Sequence, residues 1–203
     1  MFTGLVEAVG VVQEVARRGD ITRLLIVAPA WHTPALGESI SVSGVCLTIV
    51  AASDATGGLL AFDAVPETLA KTTLGTLRPN SRVNLERSAT PSTLLGGHLV
   101  QGHVDAVGRV ICVQRSDDWR VRVEPPPALM EFMTPKGSVT IEGVSLTLAA
   151  VDPQAGWIEV ALIPTTLDKT TLRDLNEGDG VNLEADATAK TIIHWLKHYA
   201  PRR

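Results

Sequence analysis

The chain writes the same text twice. "ETLAKTTL" (67–74) returns as "TTLDKTTL" (165–172), with six of eight positions identical. "GVCLT" (44–48) returns as "GVSLT" (143–147), and "VNLE" (83–86) recurs unchanged at 181–184. "GLVEAVGVV" (4–12) returns as "GHVDAVGRV" (102–110). Pro66 and Pro164 stand 98 apart, and Gly44 and Gly143 stand 99 apart. Four blocks in one order at one near-constant offset make the chain two copies of a single unit. A period this long excludes a solenoid, whose repeats run about 20 to 50 residues. Each copy is long enough to own a core.

The boundary is expected in "SATPSTLLGG" (88–97), which has the Ser/Thr/Pro/Gly character of a connector. That gives units at 1–97 and 98–187, with 188–203 left over. Each copy reads as β. Turn formers bracket short runs rich in Val, Ile, Leu and Thr, among them "ITRLLIV", "LLAFDAV", "WRVRVE" and "WIEVALI". "MFTG" is expected to start the first strand, and "HVDAVGRVICVQ" is read as a single run. Six or so strands per copy predict a small barrel or sandwich. "PETLAKTTL" and "PTTLDKTTL" read as short helices opened by proline in the first turn. In the tail "ATAKTIIHWLKHYAPRR", Ala189, Ile192, Ile193, Leu196 and Tyr199 fall at helical spacing, with Lys197 and His198 near its end. This amphipathic helix belongs to neither copy. It is either an oligomer contact or a segment folded back on its own barrel.

Charge narrows the function classes. The net charge is −4, so no basic excess exists to neutralise a phosphate backbone, and nucleic acid is not an expected partner. No stretch approaches the roughly 20 apolar residues of a membrane span. The start of the chain lacks the basic and apolar regions of a signal peptide. Cys46 and Cys112 are far apart and form no CxxC pair. A reduced, cytoplasmic protein is the expectation.

Strand alternation locates candidate chemistry. In "GVCLT" and the residue that follows, Val45, Leu47 and Ile49 share the core face, and Cys46 and Thr48 share the other. Val144, Leu146 and Leu148 repeat the first face, and Ser145 and Thr147 the second. A small hydrogen-bonding pair therefore sits at the same place in both copies. One such pair alone reads as a solvated strand surface; its repetition beside the "TL.KTTL" segments argues for a site in each copy. His98 and His103, in "GGHLVQGHVD", are an odd number of residues apart. On a regular strand they face opposite sides, which argues against a shared metal. His103 aligns with Leu5, a point where the copies diverge. No GxSxG, Walker or GxGxxG motif occurs.

"MFTGLVE", "GVCLT", "PETL", "GGHLVQGHVD", "EGVSLT", "IPTTLDKTTL" and "VNLEAD", in this order over nearly the whole chain, resemble riboflavin synthase of the α-chain type. The resemblance implies an all-β fold of two homologous six-stranded Greek-key barrels in tandem plus a C-terminal helix, assembled as a homotrimer. It implies a dismutation in which two molecules of 6,7-dimethyl-8-ribityllumazine exchange a four-carbon unit, yielding riboflavin and 5-amino-6-(ribitylamino)uracil. It implies no cofactor and no metal, and it raises lumazine synthase as a partner. In such a family the paired site lies between the N-terminal barrel of one subunit and the C-terminal barrel of a neighbour.

Carried over by position, the resemblance implies a first pocket at Cys46, Leu47, Thr48, Asp63, Ala64, Val65, Pro66, Glu67 and Thr68. Gly102, His103, Val104 and Lys136 are expected to complete it across the interface. The implied second pocket comprises Gly4, Leu5, Val6, Ser145, Leu146, Thr147, Ile163, Pro164, Thr165, Thr166, Leu167 and Asp168. Phe2, Ser39, Cys46, Thr48, His103, Ser145, Thr147 and Asp186 match positions tied to activity. Thr165 departs from the Glu or His that relatives often carry there. Two rival readings stand against this one. A non-catalytic lumazine-binding antenna protein is expected to lose polar residues from one pocket, and here both keep theirs. A flavin oxidoreductase barrel is expected to carry an Arg-x-Tyr-Ser-like motif, but Tyr199, in the tail, is the only tyrosine.

Overall fold

In the computed structural model the residues described are 1–28, 31, 34–53, 58–116 and 118–201. The first copy forms β1 (Ala8–Arg18), β2 (Ile21–Val27), β3 (Ser39–Val42), β4 (Val45–Ser53), β5 (Leu59–Ala64) and β6 (Arg82–Arg87). The second forms β7 (Ala106–Gln114), β8 (Arg120–Glu124), β9 (Ser138–Ile141), β10 (Val144–Asp152), β11 (Trp157–Ala161) and β12 (Gly180–Ala185). Each set closes into an antiparallel barrel. The first runs β1-β2-β5-β4-β3-β6, and the second repeats that order with β7-β8-β11-β10-β9-β12. Closure leaves no free sheet edge. Register shifts recur at matching points, between Val12 and Glu14, Ile49 and Ala51, Val110 and Cys112, and Leu148 and Ala150. An extra residue on one strand sharpens its bend, which a six-stranded barrel needs in order to close.

The inward residues follow the period of two. Leu24, Ile26, Ile40 and Phe62 fill the first barrel, and Val123, Ile141, Leu148 and Ile158 the second, all essentially without solvent contact. Between β5 and β6 lies α1 (Pro66–Lys71), opened by proline and followed by a 3-10 turn at Thr73–Thr76. Its counterpart α2 (Pro164–Lys169) precedes a 3-10 turn at Thr171–Asp174. Each 3-10 turn is capped alike: the Thr72 hydroxyl accepts from the Leu74 N–H, and the Thr170 hydroxyl accepts from the Leu172 N–H.

Two expectations fail at the starts of the copies. "MFTG" is not the head of β1, which begins at Ala8, and His103 is not in β7, which begins at Ala106. Both lead segments instead leave their own barrel. Phe2 and Val100 pair through two backbone hydrogen bonds of 2.7 and 3.1 Å, which ties the segments together between the barrels. Gly4 and Gly102, with φ of +74° and +77°, turn each segment. Buried glutamates hold them. Glu86 accepts from the N–H groups of Thr3 (2.6 Å) and Gly4 (2.9 Å), and Glu184 accepts from those of Gln101, Gly102 and His103 (2.8–3.1 Å). These N–H groups bond carboxylates rather than a neighbouring strand, so the ladder cannot start earlier.

The two copies also lock across a pseudo-twofold axis. The Asn84 amide donates to the Glu142 carbonyl at 2.9 Å, and the Asn182 amide donates to the Ser43 carbonyl at 2.8 Å. The tail forms α3 (Ala187–His198), with Asp186 as its N-cap. Lys197 pairs with Glu131, which tethers α3 beside the turn at Pro127–Phe132. No residue of α3 is buried, and Ile192, Trp195, Leu196 and Tyr199 are more than half exposed. The quoted tail reaches Arg202 and Arg203, which lie outside the described residues. Among the described residues no helix is long and apolar enough to cross a membrane.

Candidate active site

The alternation in β4 and β10 is as the sequence requires. Val45, Leu47 and Ile49, like Val144, Leu146 and Leu148, are buried in their barrels. Cys46 and Ser145 are half-buried on the outer face, and Thr48 and Thr147 are exposed beside them. On the neighbouring strands Ser39 stands opposite Thr48, and Ser138 stands opposite Thr147. Each barrel thus carries a patch of small hydroxyl and thiol groups at one position.

A cleft of about 300 Å³ opens over Cys46. Glu67, Thr68, Lys71 and Thr72 from the α1 region form one side, and Gly102, His103 and Val104 form the other. The volume sits at the lower end of the range for small-molecule sites. The Cys46 N–H donates to the Gly102 carbonyl at 2.9 Å. A Cβ on Gly102 would lie 2.7 Å from the Cys46 Cβ and 3.0 Å from the Phe2 ring, so glycine is required by space as well as by φ. Gly102, His103 and Val104 line this cleft within their own chain, because the lead segment of the second copy crosses over. Lys136 of the same chain lies outside its lining. It occupies a left-handed turn (φ +67°) before β9, and its N–H donates to the Leu148 carbonyl.

The second barrel mirrors the arrangement. The Ser145 N–H donates to the Gly4 carbonyl at 2.8 Å, and a Cβ on Gly4 would lie 2.5 Å from the Ser145 Cβ. Gly4, Leu5 and Val6 are therefore brought to Ser145, with Leu5 about half exposed. The structure adds a partner that strand alternation did not suggest: the His98 ring nitrogen Nδ1 lies 2.7 Å from the Ser145 hydroxyl. The two histidines serve different barrels, His98 the second and His103 the first. Periodicity could not separate them, because the segment that carries them is not a strand.

Other predicted positions are placed as follows. Phe2 is fully buried beneath Gly102, where it supports the cleft floor. Asp63 is held by a two-pronged ion pair to Arg23 (2.5 and 2.9 Å), which keeps its carboxyl below the ordinary range. Glu67 pairs with Lys71 at 2.6 Å, one helical turn on, and its carboxyl is likewise lowered. Thr165, its counterpart, has no charge to pair, and the two helices differ there. Ala64 is buried and Leu167 packs into the second core, whereas Val65, Pro66, Ile163, Pro164 and Thr165 are exposed and Thr166 is half-buried. Asp168 pairs with Arg173. Asp186 caps α3 by accepting from the Thr188 and Ala189 N–H groups.

Sequence reasoning passed over the glutamates that shape both sites. Burial pushes the carboxyls of Glu86 and Glu184 upward, against the backbone N–H groups that pull them down. A signal existed: "VNLE" sets a charged residue near the end of an apolar strand, and it does so twice.

Residues 3–88 and 101–186 each match the family model described as "Lumazine binding domain". The riboflavin synthase of Mycobacterium tuberculosis is 45% identical over 200 residues, covering 97% of this chain and 98% of the relative. Among solved structures, LumP complexed with 6,7-dimethyl-8-(1'-D-ribityl) lumazine superposes with a TM-score of 0.80 at 25% identity. LumP complexed with riboflavin does so with 0.81 at 27%, and each comparison covers 91% of this chain and 99% of the other. Tandem barrels, matched lead segments and full-length similarity converge: the chain belongs to the riboflavin synthase family.

Proposed function

We propose that the protein catalyses the dismutation of two 6,7-dimethyl-8-ribityllumazine molecules to riboflavin and 5-amino-6-(ribitylamino)uracil. One observation carries the reading: a single chain holds two like sites that differ at their reactive atoms. The reaction takes two identical molecules and gives them unequal roles, as four-carbon donor and acceptor. Equivalent sites grip the same ring, and the sulfur of Cys46 against the hydroxyl of Ser145 supplies the inequality.

The chemistry asks for a proton from the C7 methyl of one lumazine. The pteridine ring delocalises the charge that remains, and the carbanion attacks the partner molecule. Holding two reactants in register supplies roughly 7 to 11 kcal/mol of barrier lowering. Polar groups around each ring stabilise developing charge. In the first site Thr48 and Cys46 face the ring, and the His103 imidazole on the cleft rim serves as proton carrier. The exposed apolar row of α3, at Ile192, Trp195, Leu196 and Tyr199, supports assembly as a homotrimer that brings unlike barrels of neighbouring subunits together.

The test is direct. Purified protein mixed with the lumazine alone should develop riboflavin fluorescence, with one riboflavin formed for each two lumazines consumed. Tight lumazine binding without turnover would instead establish an antenna-type carrier and overturn the reading.

A further inference from the structure

The tail helix α3 repeats histidine at the spacing of one turn: "HWLKH" sets His194 and His198 four residues apart. Residues at that spacing are neighbours on a helix surface. The two imidazoles stand side by side, with ring centroids 4.6 Å apart and planes inclined at 45°. Both are exposed. Among the described residues neither forms a hydrogen bond or an ion pair, so their ring nitrogens are uncommitted. The Tyr199 ring flanks both, at 6.0 and 6.4 Å between centroids. The platform under the pair is fixed. Lys190 pairs with Asp105 at 3.0 Å, Lys197 pairs with Glu131, and the Tyr199 N–H donates to the Trp195 carbonyl at 2.8 Å.

We propose that His194 and His198 together chelate one divalent transition cation of the Zn²⁺, Ni²⁺ or Cu²⁺ class. The separation fits. A metal–nitrogen bond of about 2.0–2.1 Å places each ring centroid about 3.2 Å from the metal. Neighbouring ligands in square, octahedral or tetrahedral sites subtend roughly 90° to 110°, which sets the two centroids about 4.5 to 5.2 Å apart. The observed 4.6 Å lies inside that window, so binding asks for side-chain rotation and no backbone movement. The donor set selects the metal. Imidazole suits Zn²⁺, Ni²⁺ and Cu²⁺, whereas Mg²⁺ and Ca²⁺ take carboxylate and carbonyl oxygens. The carboxylates that brace α3, Asp105 and Glu131, are each held by a lysine. Water fills the remaining positions around the cation. By helix geometry the pair lies roughly 130° round α3 from the row of Ile192, Trp195 and Leu196. It therefore stays open when a second copy covers that row. The clip spans the last turn of α3, which ends at His198. A bound cation holds down the turn that also carries Trp195 and Leu196. The site stands whether or not the dismutation reading does.

The experiment titrates the full chain with Zn²⁺ and Ni²⁺ salts in a calorimeter and compares wild type with His194→Gln, His198→Gln and His103→Gln. Wild type should take up one cation per chain. Each α3 variant should lose at least about tenfold in affinity, and His103→Gln should bind as wild type does. Ni²⁺ should bind more tightly than Co²⁺, and Mg²⁺ should give no heat. Hydrogen exchange supplies a second readout. The Tyr199 amide exchanges when the last turn opens, and Zn²⁺ at about a hundred times its Kd should slow that exchange by up to about 100-fold. The slowing should vanish in His198→Gln. Unchanged uptake in either α3 variant would overturn the chelate, as would a loss in His103→Gln or no uptake by wild type. One cation per two or three chains, with metal-driven association in sedimentation, would place the metal between copies and also overturn it.

Discussion

Gly44 and Gly143 meet back to back at the pseudo-twofold axis. A Cβ on Gly44 would lie 2.8 Å from the Gly143 nitrogen, and one on Gly143 would lie 2.6 Å from the Gly44 nitrogen. Both residues have positive φ, +86° and +77°. Each follows a residue that is itself left-handed, Ser43 and Glu142. The hairpins that carry Cys46 and Ser145 therefore start from one shared point.

Gly143→Ala should destabilise the whole chain, because both the backbone conformation and the space forbid a methyl there. A loss of about 2 to 4 kcal/mol is expected. Chemical denaturation should show one lowered midpoint rather than loss of the second barrel alone. An unchanged midpoint would show that the contact is slack.

Glu142 makes stability depend on pH. Burial pushes its carboxyl up to about 7, although the Asn182 N–H, Ser43 and Thr73 bond it. In the unfolded chain the value is near 4.5. The folded state thus holds the proton more tightly. Its contribution is fully present below about pH 4.5 and is lost as pH rises to about 7, a span worth roughly 3 kcal/mol. Glu86 and Glu184 shift in the same direction. Glu142→Gln should flatten the fall in Tm between pH 5 and 8 and raise Tm at pH 8. Equal pH slopes in variant and wild type would contradict this.

Glu184→Ala strips the acceptor from the N–H groups of Gln101, Gly102 and His103, the last two of which wall the Cys46 cleft. Unmet buried donors cost about 1 to 3 kcal/mol each at most. The variant should unfold earlier and bind lumazine at least several-fold more weakly at one of its two sites. Calorimetric titration separates the sites, and two unchanged affinities would count against the assignment.

Cys46 is matched by Ser145 at the same position of the other barrel. If it positions the acceptor ring rather than forming a bond to it, Cys46→Ser should keep substantial turnover and Cys46→Ala should lose much more. Single-turnover rates with lumazine affinity measured in parallel decide the point. Equal inactivity with normal binding would mean that sulfur itself is required.

The row at Ile192, Trp195, Leu196 and Tyr199 is open in the single chain. Trp195→Glu combined with Leu196→Glu should shift sedimentation toward monomer and make activity rise with protein concentration. Wild type that is fully active as a monomer would remove the trimer from the mechanism.

The sequence alone determined the doubling, the run of short strands in each copy and which residues of β4 and β10 face out. Those features are local: a period of two survives in the text, and a repeated motif reveals a repeated unit. It also placed the proline-led helices and the tail helix, where capping and spacing are written in neighbouring residues. Tertiary structure decided what lies against what. Gly4 meets Ser145 and Gly102 meets Cys46 because the lead segments leave their own barrels, held by glutamates some 80 residues away. His98 finds Ser145 across 47 residues of sequence. Nothing in the spacing of "GGHLVQGHVD" encodes that meeting, since a segment without regular pairing has no period, and its direction is set by the buried carboxylates that receive its N–H groups.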